Sequence, residues 1–468
     1  MKKFQKNLIY AFSAQFISML MSVLISLILP KLLGVEEFAY WQMFILYSGY
    51  VGFFHFGLSD GLYLRYGGTS LRDMDKSLLG SQFRFMVLWQ TAISVVLLAA
   101  VPVFVHEASR RFVWNMTAVY LVLANATWCL GYIFQAANET RIYSTAVIIS
   151  KALVALYIIT SVFADTHDFR YYIAFYVIAQ GIAAAYCLYK GLAFLTAKWV
   201  WGKTLLTETH KNAAIGINLT FANIASSLTL GIGKIFVDYR WGLSAFGILS
   251  LSISLVNFAL QFISQVSMVL FPQLRQTGEK DRNRLYNALD QVLGFVLCGV
   301  LILYVPCWLL LSAWLPEYAQ GLSYLGVLLP VCVLDGKMQL LYNTYLKVLR
   351  RERELLWINI LCCGLCFLLC VVFSEMSGSV ISIAYAMLAA IAARNIISGR
   401  ILAKIMQQRW NRSAISELLL CAWFVLLNQL LPANMAMLLY MAGYLAVCVG
   451  NRKKIVAVVR NSGLSFGK

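Results

Sequence analysis

Apolar runs long enough to cross a bilayer, about twenty residues each, succeed one another along most of this chain. Fourteen can be placed, at 8–29, 38–57, 83–104, 112–137, 142–164, 171–195, 213–238, 245–271, 286–311, 322–346, 355–374, 379–403, 417–431 and 434–450. The last two are the shortest. Short polar turns separate them, and no intervening segment is long enough for a soluble domain. The pattern predicts an all-α polytopic membrane protein with about 14 transmembrane helices.

Polar positions inside these runs repeat. Lys6-Asn7 precedes the first run and Lys211-Asn212 the seventh, about 205 residues and six spans later. Gln15, Ser18, Ser22 and Ser26 stand at steps of three or four, so they share one helix face. Shifted by that offset, they fall on Thr220, Asn223, Ser227 and Gly231. These belong to a stripe that also holds Gly216, Lys234 and Asp238. Six spans is an even number, so the expected halves run parallel, related by a pseudo-two-fold along the membrane normal. The expected organisation is an N-terminal six-helix lobe (1–196), a cytoplasmic linker (197–212), a C-terminal six-helix lobe (213–405), and an extra helix pair with a basic tail (406–468).

Composition agrees: 61% of residues are hydrophobic and only 12% charged, too little polar surface for a soluble domain. The formal charge of +18 is unevenly placed. Alternate loops and the two termini collect about 29 Lys and Arg, against Lys31, Arg110, Arg111, Arg170 and Arg240 on the other side. The positive-inside rule then puts both termini in the cytoplasm and the protein in the cell membrane. The high pI is thus a topology signal, and no nucleic-acid partner is expected. The Lys-rich start reads as part of the first span, because Pro30 to Gly34 offers no small-residue cleavage site.

The stripes admit two readings: close helix–helix contact, or a shared aqueous cavity. Serines suit the first; Asn223, Lys234 and Asp238 suit the second. The eighth span carries Ser250, Ser254, Asn257, Gln261 and Ser264 or Gln265, and the tenth carries Asp335, Gln339 and Asn343. Charges inside the runs include Lys151, Lys234, Asp335, Lys337 and Arg394. Each costs about 2.5–3.5 kcal/mol at a bilayer centre on insertion scales, which argues for function or pairing. Lys234 can pair with Asp238 one turn away. Arg394 is expected to snorkel to the cytoplasmic interface. Asp335 and Lys337, two apart, point to different faces. Lys151 is either a ligand contact or half of an interhelical ion pair. A cavity built from these cations would attract anions, phosphates in particular.

Other residues are given plainer roles. His55, in the aromatic run from Tyr47 to Phe56, is expected at the membrane interface. Asp60 and Arg65 fall in a cytoplasmic loop that they could latch. Cys362, Cys363, Cys366 and Cys370 cluster on one helix; packing is expected in preference to metal binding, since no His or acid accompanies them. No cofactor and no metal are expected.

Leu33-Gly34-Val35-Glu36-Glu37-Phe38-Ala39-Tyr40-Trp41 resembles the first loop of polysaccharide transporters, with Ala39 where that family commonly has Gly. These are the O-antigen flippase-like proteins of the multidrug/oligosaccharidyl-lipid/polysaccharide export superfamily. Phe56-Gly57-Leu58-Ser59-Asp60-Gly61 resembles their following motif, and the layout matches over nearly the whole chain. The resemblance implies two six-helix lobes around a central cavity open alternately to either face. It implies a flippase that moves a polyprenyl-pyrophosphate-linked oligosaccharide from the inner to the outer leaflet, with the bilayer and other polysaccharide-assembly proteins as partners.

On that reading Lys151, Lys234 and Lys337 neutralise the pyrophosphate. Asn223, Asn257, Gln261 and Gln339 meet sugars, and Asp335 is a proton or sodium site. The family's cavity cations have no counterpart here in the first two spans. One rival is a cation-coupled multidrug exporter, disfavoured because no Asp or Glu lies inside the first six runs. The other is a membrane glycosyltransferase or polymerase, disfavoured because the outer loops are about ten residues or fewer and the longest inner loop, 58–82, carries Asp60, Asp73 and Asp75 but no His or Cys. A transporter, not an enzyme, is expected.

Overall fold

The computed structural model describes residues 2–164, 166–276, 278–408 and 413–452, with side chains for all of these but 2–9, 11, 12, 265–273, 275, 276, 279, 280 and 413. Arg409, Arg412 and the basic tail after Arg452 lie outside the described residues. So do the side chains of Lys2, Lys3, Lys6, Asn7, Gln265, Arg275 and Lys280.

The described chain is helical. In order, the helices are α1 (Lys2–Leu27), α2 (Leu29–Ser48), α3 (Leu58–Tyr66), α4 (Lys76–Phe104), α5 (Ala108–Ala136), α6 (Thr140–Ala164), α7 (Phe169–Lys190), α8 (Leu192–Leu195), α9 (Lys203–Trp241) and α10 (Leu243–Gln276). Then come α11 (Glu279–Val300), α12 (Tyr304–Trp314), α13 (Ala319–Leu328), α14 (Pro330–Lys337), α15 (Thr344–Val348), α16 (Glu352–Ser377), α17 (Val380–Ile405), α18 (Ser413–Leu430) and α19 (Ala433–Gly450). It is an all-α polytopic fold.

The predicted apolar runs fall largely on helices. Among the described residues ten helices are long and apolar enough to cross a membrane, or twelve if each bent pair is one span. The first two runs form one such pair, bent by 70° between Leu27 and Leu29. Pro30 opens α2, and Gly34 within it adopts φ 70°, a left-handed conformation that favours glycine. The tenth run is the other pair, bent by 44° ahead of Pro330. The thirteenth, Ala414–Leu430, is a shorter apolar helix.

The chain forms two compact units, 1–224 and 225–468, whose boundary falls within α9. In unit 1, α5 is the central helix: 72% of its apolar window is buried, against 17% for α4. Small residues allow this. Gly131 lies so close to the Tyr143 ring that a Cβ would clash with it. Phe83, Met86, Leu130, Phe134 and Phe194 fill the core around it. Side-chain caps start two of the helices: Asp75 accepts from the Leu78 N–H at 3.0 Å, and Asp168 from that of Arg170 at 2.8 Å. In unit 2, α16 and α17 form an antiparallel pair closed at Gly378, while α14 packs against α10, α11 and α17. The final helices α18 and α19 pack on one another and on α11.

Candidate functional site

The two stretches that carry the family resemblance do structural work in unit 1. Glu37 accepts the Phe169 N–H at 2.8 Å, so an acid from the first stretch caps the start of α7. Tyr40 bonds to Glu107 and stacks on Phe169 at 4.6 Å. Trp41 is fully buried against Phe44 and Tyr176.

The second stretch turns the chain. A 3-10 segment, Val51–His55, leads through Phe56 and Gly57, at φ 46° and 83°, into α3. Gly57 and Gly61, four apart, bring the start of α3 against the backbone of α9 at Asn212, Ala213 and Ile217, and Gly216 answers them from α9. Three small residues thus permit a backbone-to-backbone crossing. On this contact Asp60 is buried and accepts a hydrogen bond from Thr220. His55 is buried beside it, Nε2 4.0 Å from the carboxylate. The Gly57 N–H donates to His55 Nδ1 at 3.1 Å, which leaves the ring proton on Nε2, toward Asp60. Arg65 reaches Asn212 at 3.0 Å and Glu208 at 2.7 Å.

Two expectations are therefore corrected. His55 is buried within the protein beside Asp60, where an interfacial belt residue was expected. Asp60, expected in a cytoplasmic loop, is a buried acid of unit 1. Its signal was present as Gly-x-x-Asp-Gly, but it lies beyond the apolar run.

Lys151 is half-buried. Its ammonium stands 3.3 Å from Tyr176 Oη and 5.2 Å from that ring's centroid, within an aromatic group that includes Tyr120, Phe44 and Trp41. Nearby hydroxyls and amides bond to one another: Gln180 donates to Thr127 at 3.1 Å, and Asn125 donates to Gln90 at 3.0 Å.

The polar stripe of α9 serves more than one purpose. Gly216 and Thr220 pack on α3. Asn223 and Ser227 are exposed, while Lys234 is buried in unit 2. Asn257 on α10 is exposed; Gln261 and Gln339 are half-buried.

Unit 2 holds its charges in pairs. Arg394 does not snorkel. It is fully buried, ion-paired with Asp335, and donates to Ser226 Oγ at 3.1 Å. The physical reason is register: one turn of α14 sets Asp335 opposite it. Lys337 is fully buried too. Its ammonium lies 2.9 Å from Asp290 Oδ1 and 3.0 Å from both Glu417 oxygens, and Tyr342 donates to Asp290 at 3.2 Å. So the cation expected to face a substrate meets two carboxylates of the protein itself. Gly294 leaves the space that the Glu417 side chain occupies. A π-turn, Met338–Asn343, follows at once.

The cysteine cluster packs: Cys362, Cys363 and Cys366 each donate to a backbone carbonyl, at 3.3, 2.9 and 3.2 Å.

Beside these pairs runs an apolar groove of about 610 Å³ between α17 and α18, with Leu334 of α14 and Phe373 of α16 completing its lining. Leu418, Ala422, Val425 and Gln429 line it from α18, and Tyr385, Leu388, Ala389 and Ala392 from α17. Both sets follow steps of three or four, one face of each helix.

No protein-family model matches the chain, and no curated protein matches it. Solved structures do. The lipid II flippase MurJ, in an inward closed conformation, superposes with TM-score 0.70 at 11% identity, over 96% of this chain and 99% of that one. An inward-facing multidrug resistance MATE transporter of the MOP superfamily gives 0.64 at 9% identity, over 83% and 95%. An outward-facing one gives 0.55 at 9%, over 87% and 97%. At such identities the likeness is one of fold. The chain has the fold of MOP superfamily transporters.

Proposed function

We propose that this protein is a flippase of the polysaccharide-transporter kind, carrying a polyprenyl-pyrophosphate-linked oligosaccharide from the inner to the outer leaflet by alternating access. The observation that carries the reading is the groove of unit 2. Its walls are almost wholly apolar, and it lies between α17, long and apolar enough to cross a membrane, and the shorter apolar α18. A soluble cationic drug gains little there, whereas an isoprenoid tail gains roughly 25 cal/mol for each Å² of apolar surface it covers. The fold shared with a lipid II flippase over nearly the whole of both chains supports the same direction.

Lys151 and Lys234 are the cations left to meet the pyrophosphate, with Asn223, Asn257, Gln261 and Gln339 for the glycan. Lys337 is withdrawn from that set, because its ammonium is already shared by two carboxylates. Asp335 is withdrawn as an ion-coupling site, because it balances Arg394. Both termini lie in the cytoplasm on this reading. An anionic head group moving outward then runs down an inside-negative potential, gaining ~2.3 kcal/mol per charge per 100 mV. The test is flipping of a fluorescent lipid-linked oligosaccharide in proteoliposomes. Transfer that rises with an imposed potential is expected. No transfer sinks the flippase reading, and transfer independent of voltage sinks the electrophoretic part.

One observation favours the second reading, a cation-coupled exporter: Asp60 is a buried acid of unit 1 beside a neutral imidazole. Efflux of a cationic dye by these proteoliposomes, driven by a proton or sodium gradient, would replace the first reading by the second.

A further inference from the structure

The segment 191–202 of unit 1 joins α7 to α9, two helices long and apolar enough to cross a membrane. It does not loop away from them. Gly80 of α4 lies against the Phe194 carbonyl with no room for a Cβ, and Phe194 is buried in the core of unit 1. Arg84 of α4 donates to the carbonyls of Leu195 at 3.1 Å and Ala197 at 2.9 Å. Its guanidinium also stands over the Trp199 ring, 4.5 Å from the centroid. Ser81 accepts the Val200 N–H at 2.8 Å. The segment is thus tied to the start of a third such helix, at the level where the spans end.

What this anchorage displays is apolar. Trp201 stacks on Trp199 at 4.6 Å, the rings 6° apart, yet Trp201 is 68% exposed. Tyr189 and Leu206, on either side in the chain, are exposed as well. Lys190, Lys198 and Lys203 are interleaved with them and exposed. No Asp or Glu occurs between Asp168 and Glu208. A loop in water gains nothing by fixing an indole outward. At a membrane–water boundary the same ring has an apolar and a polar side to satisfy, and lysines beside it complement anionic headgroups.

We propose that the stretch 189–206 is a docking surface for anionic phospholipid, with Trp201 seated among the headgroups and Lys190, Lys198 and Lys203 on their phosphates. Its place at the ends of spans selects lipid over a soluble acidic protein, because headgroups already occupy that level. The proposal concerns the bilayer around the protein and stands whichever cargo is carried.

The test uses the full chain in nanodiscs of phosphatidylcholine and phosphatidylglycerol, with bromine, a tryptophan quencher, on an equal fraction of one lipid or the other. The contribution of Trp201 is the difference between the parent and W201F. That contribution should be quenched at least about twofold more strongly by brominated phosphatidylglycerol than by brominated phosphatidylcholine. The triple variant K190Q/K198Q/K203Q should equalise the two lipids. Salt at about 1 M, where the screening length falls to about 3 Å, should do the same without any substitution, and it decides the matter if the triple variant does not insert. Equal quenching by both lipids in the parent overturns the proposal, since Trp201 would then sit at the interface without a headgroup preference. Quenching by neither overturns it too, because the surface would face water or a soluble partner. A preference that survives high salt removes the lysines from the recognition.

Discussion

In unit 1 the buried carboxylate of Asp60 meets a threonine hydroxyl and a histidine; in unit 2 those of Asp335, Asp290 and Glu417 meet a guanidinium or an ammonium. The interior of unit 1 is otherwise knit by amides, hydroxyls and aromatic rings, with Lys151 resting on Tyr176. The interior of unit 2 combines full charges with an apolar groove. The contrast separates two uses of polarity within one fold. Neutral donors hold the acid of unit 1. Ion pairs hold helices at fixed distances, since removing one partner strands the other.

The sharpest way to break this comparison is to strand a charge in unit 2. R394M leaves Asp335 buried without its guanidinium, and loss of one partner of a buried pair costs about 3–5 kcal/mol. Thermal unfolding in detergent, followed by tryptophan fluorescence, should show a large drop in the midpoint. Replacing both partners at once (D335L with R394M) should recover much of it. A midpoint unchanged in R394M would mean that the pair holds nothing.

The next effect is steric and belongs to unit 1. Gly216 sits against the backbone of Gly57, Asp60 and Gly61, so G216V must push α3 off α9, at a cost of about 1–3 kcal/mol for overpacking. Limited proteolysis in the segment between α3 and α4 should accelerate. G364V, at a glycine of α16 with open space around it, is the control and should not change the cleavage rate. Equal cleavage in G216V and the parent would show that the crossing is loose.

Much of this architecture was legible beforehand. The apolar runs fall on helices because a lipid-facing backbone must satisfy its own hydrogen bonds, and runs of about twenty apolar residues do so within one helix. The bend near Pro30 was written in Pro30 and Gly34, yet a hydropathy run does not register a change of direction. Partner choice was not legible: Asp335 and Arg394 are 59 residues apart, and only tertiary register brings them together. Glu417 stood at the first position of a predicted span, where hydropathy assigns a side chain no depth. Asp60 and His55 straddled the end of another and were divided between interface and loop. In each case the sequence displayed the side chain's depth only as a guess about where a helix stops.

A smaller effect bears on Lys151, whose ammonium in unit 1 is held by a tyrosine and not by an acid. K151Q should leave the melting midpoint nearly unchanged, since the lost contact with Tyr176 is worth about 0.5–1 kcal/mol. Flipping of a lipid-linked oligosaccharide should nonetheless slow about tenfold, equivalent to ~1.4 kcal/mol of barrier. K151R should restore part of it, because a guanidinium still binds phosphate. A K151Q protein that flips at the parental rate removes Lys151 from the pyrophosphate site.

A comparably small change in stability separates the two functional readings. In D60N the amide oxygen still accepts from Thr220, and the lost charge faces a neutral imidazole, so the cost should stay near 1 kcal/mol, that of one altered hydrogen bond. Under the flippase reading the acid is part of the α3–α9 contact, and D60N should flip lipid-linked oligosaccharide within about threefold of the parent, ~0.7 kcal/mol. Under the exporter reading the same carboxylate binds the coupling cation, and D60N should lose gradient-driven dye efflux while remaining folded. One substitution, two assays and a melting curve therefore distinguish them. If D60N instead unfolds as readily as R394M, then unit 1 depends on its buried charge as unit 2 does, and the contrast between the two halves is withdrawn.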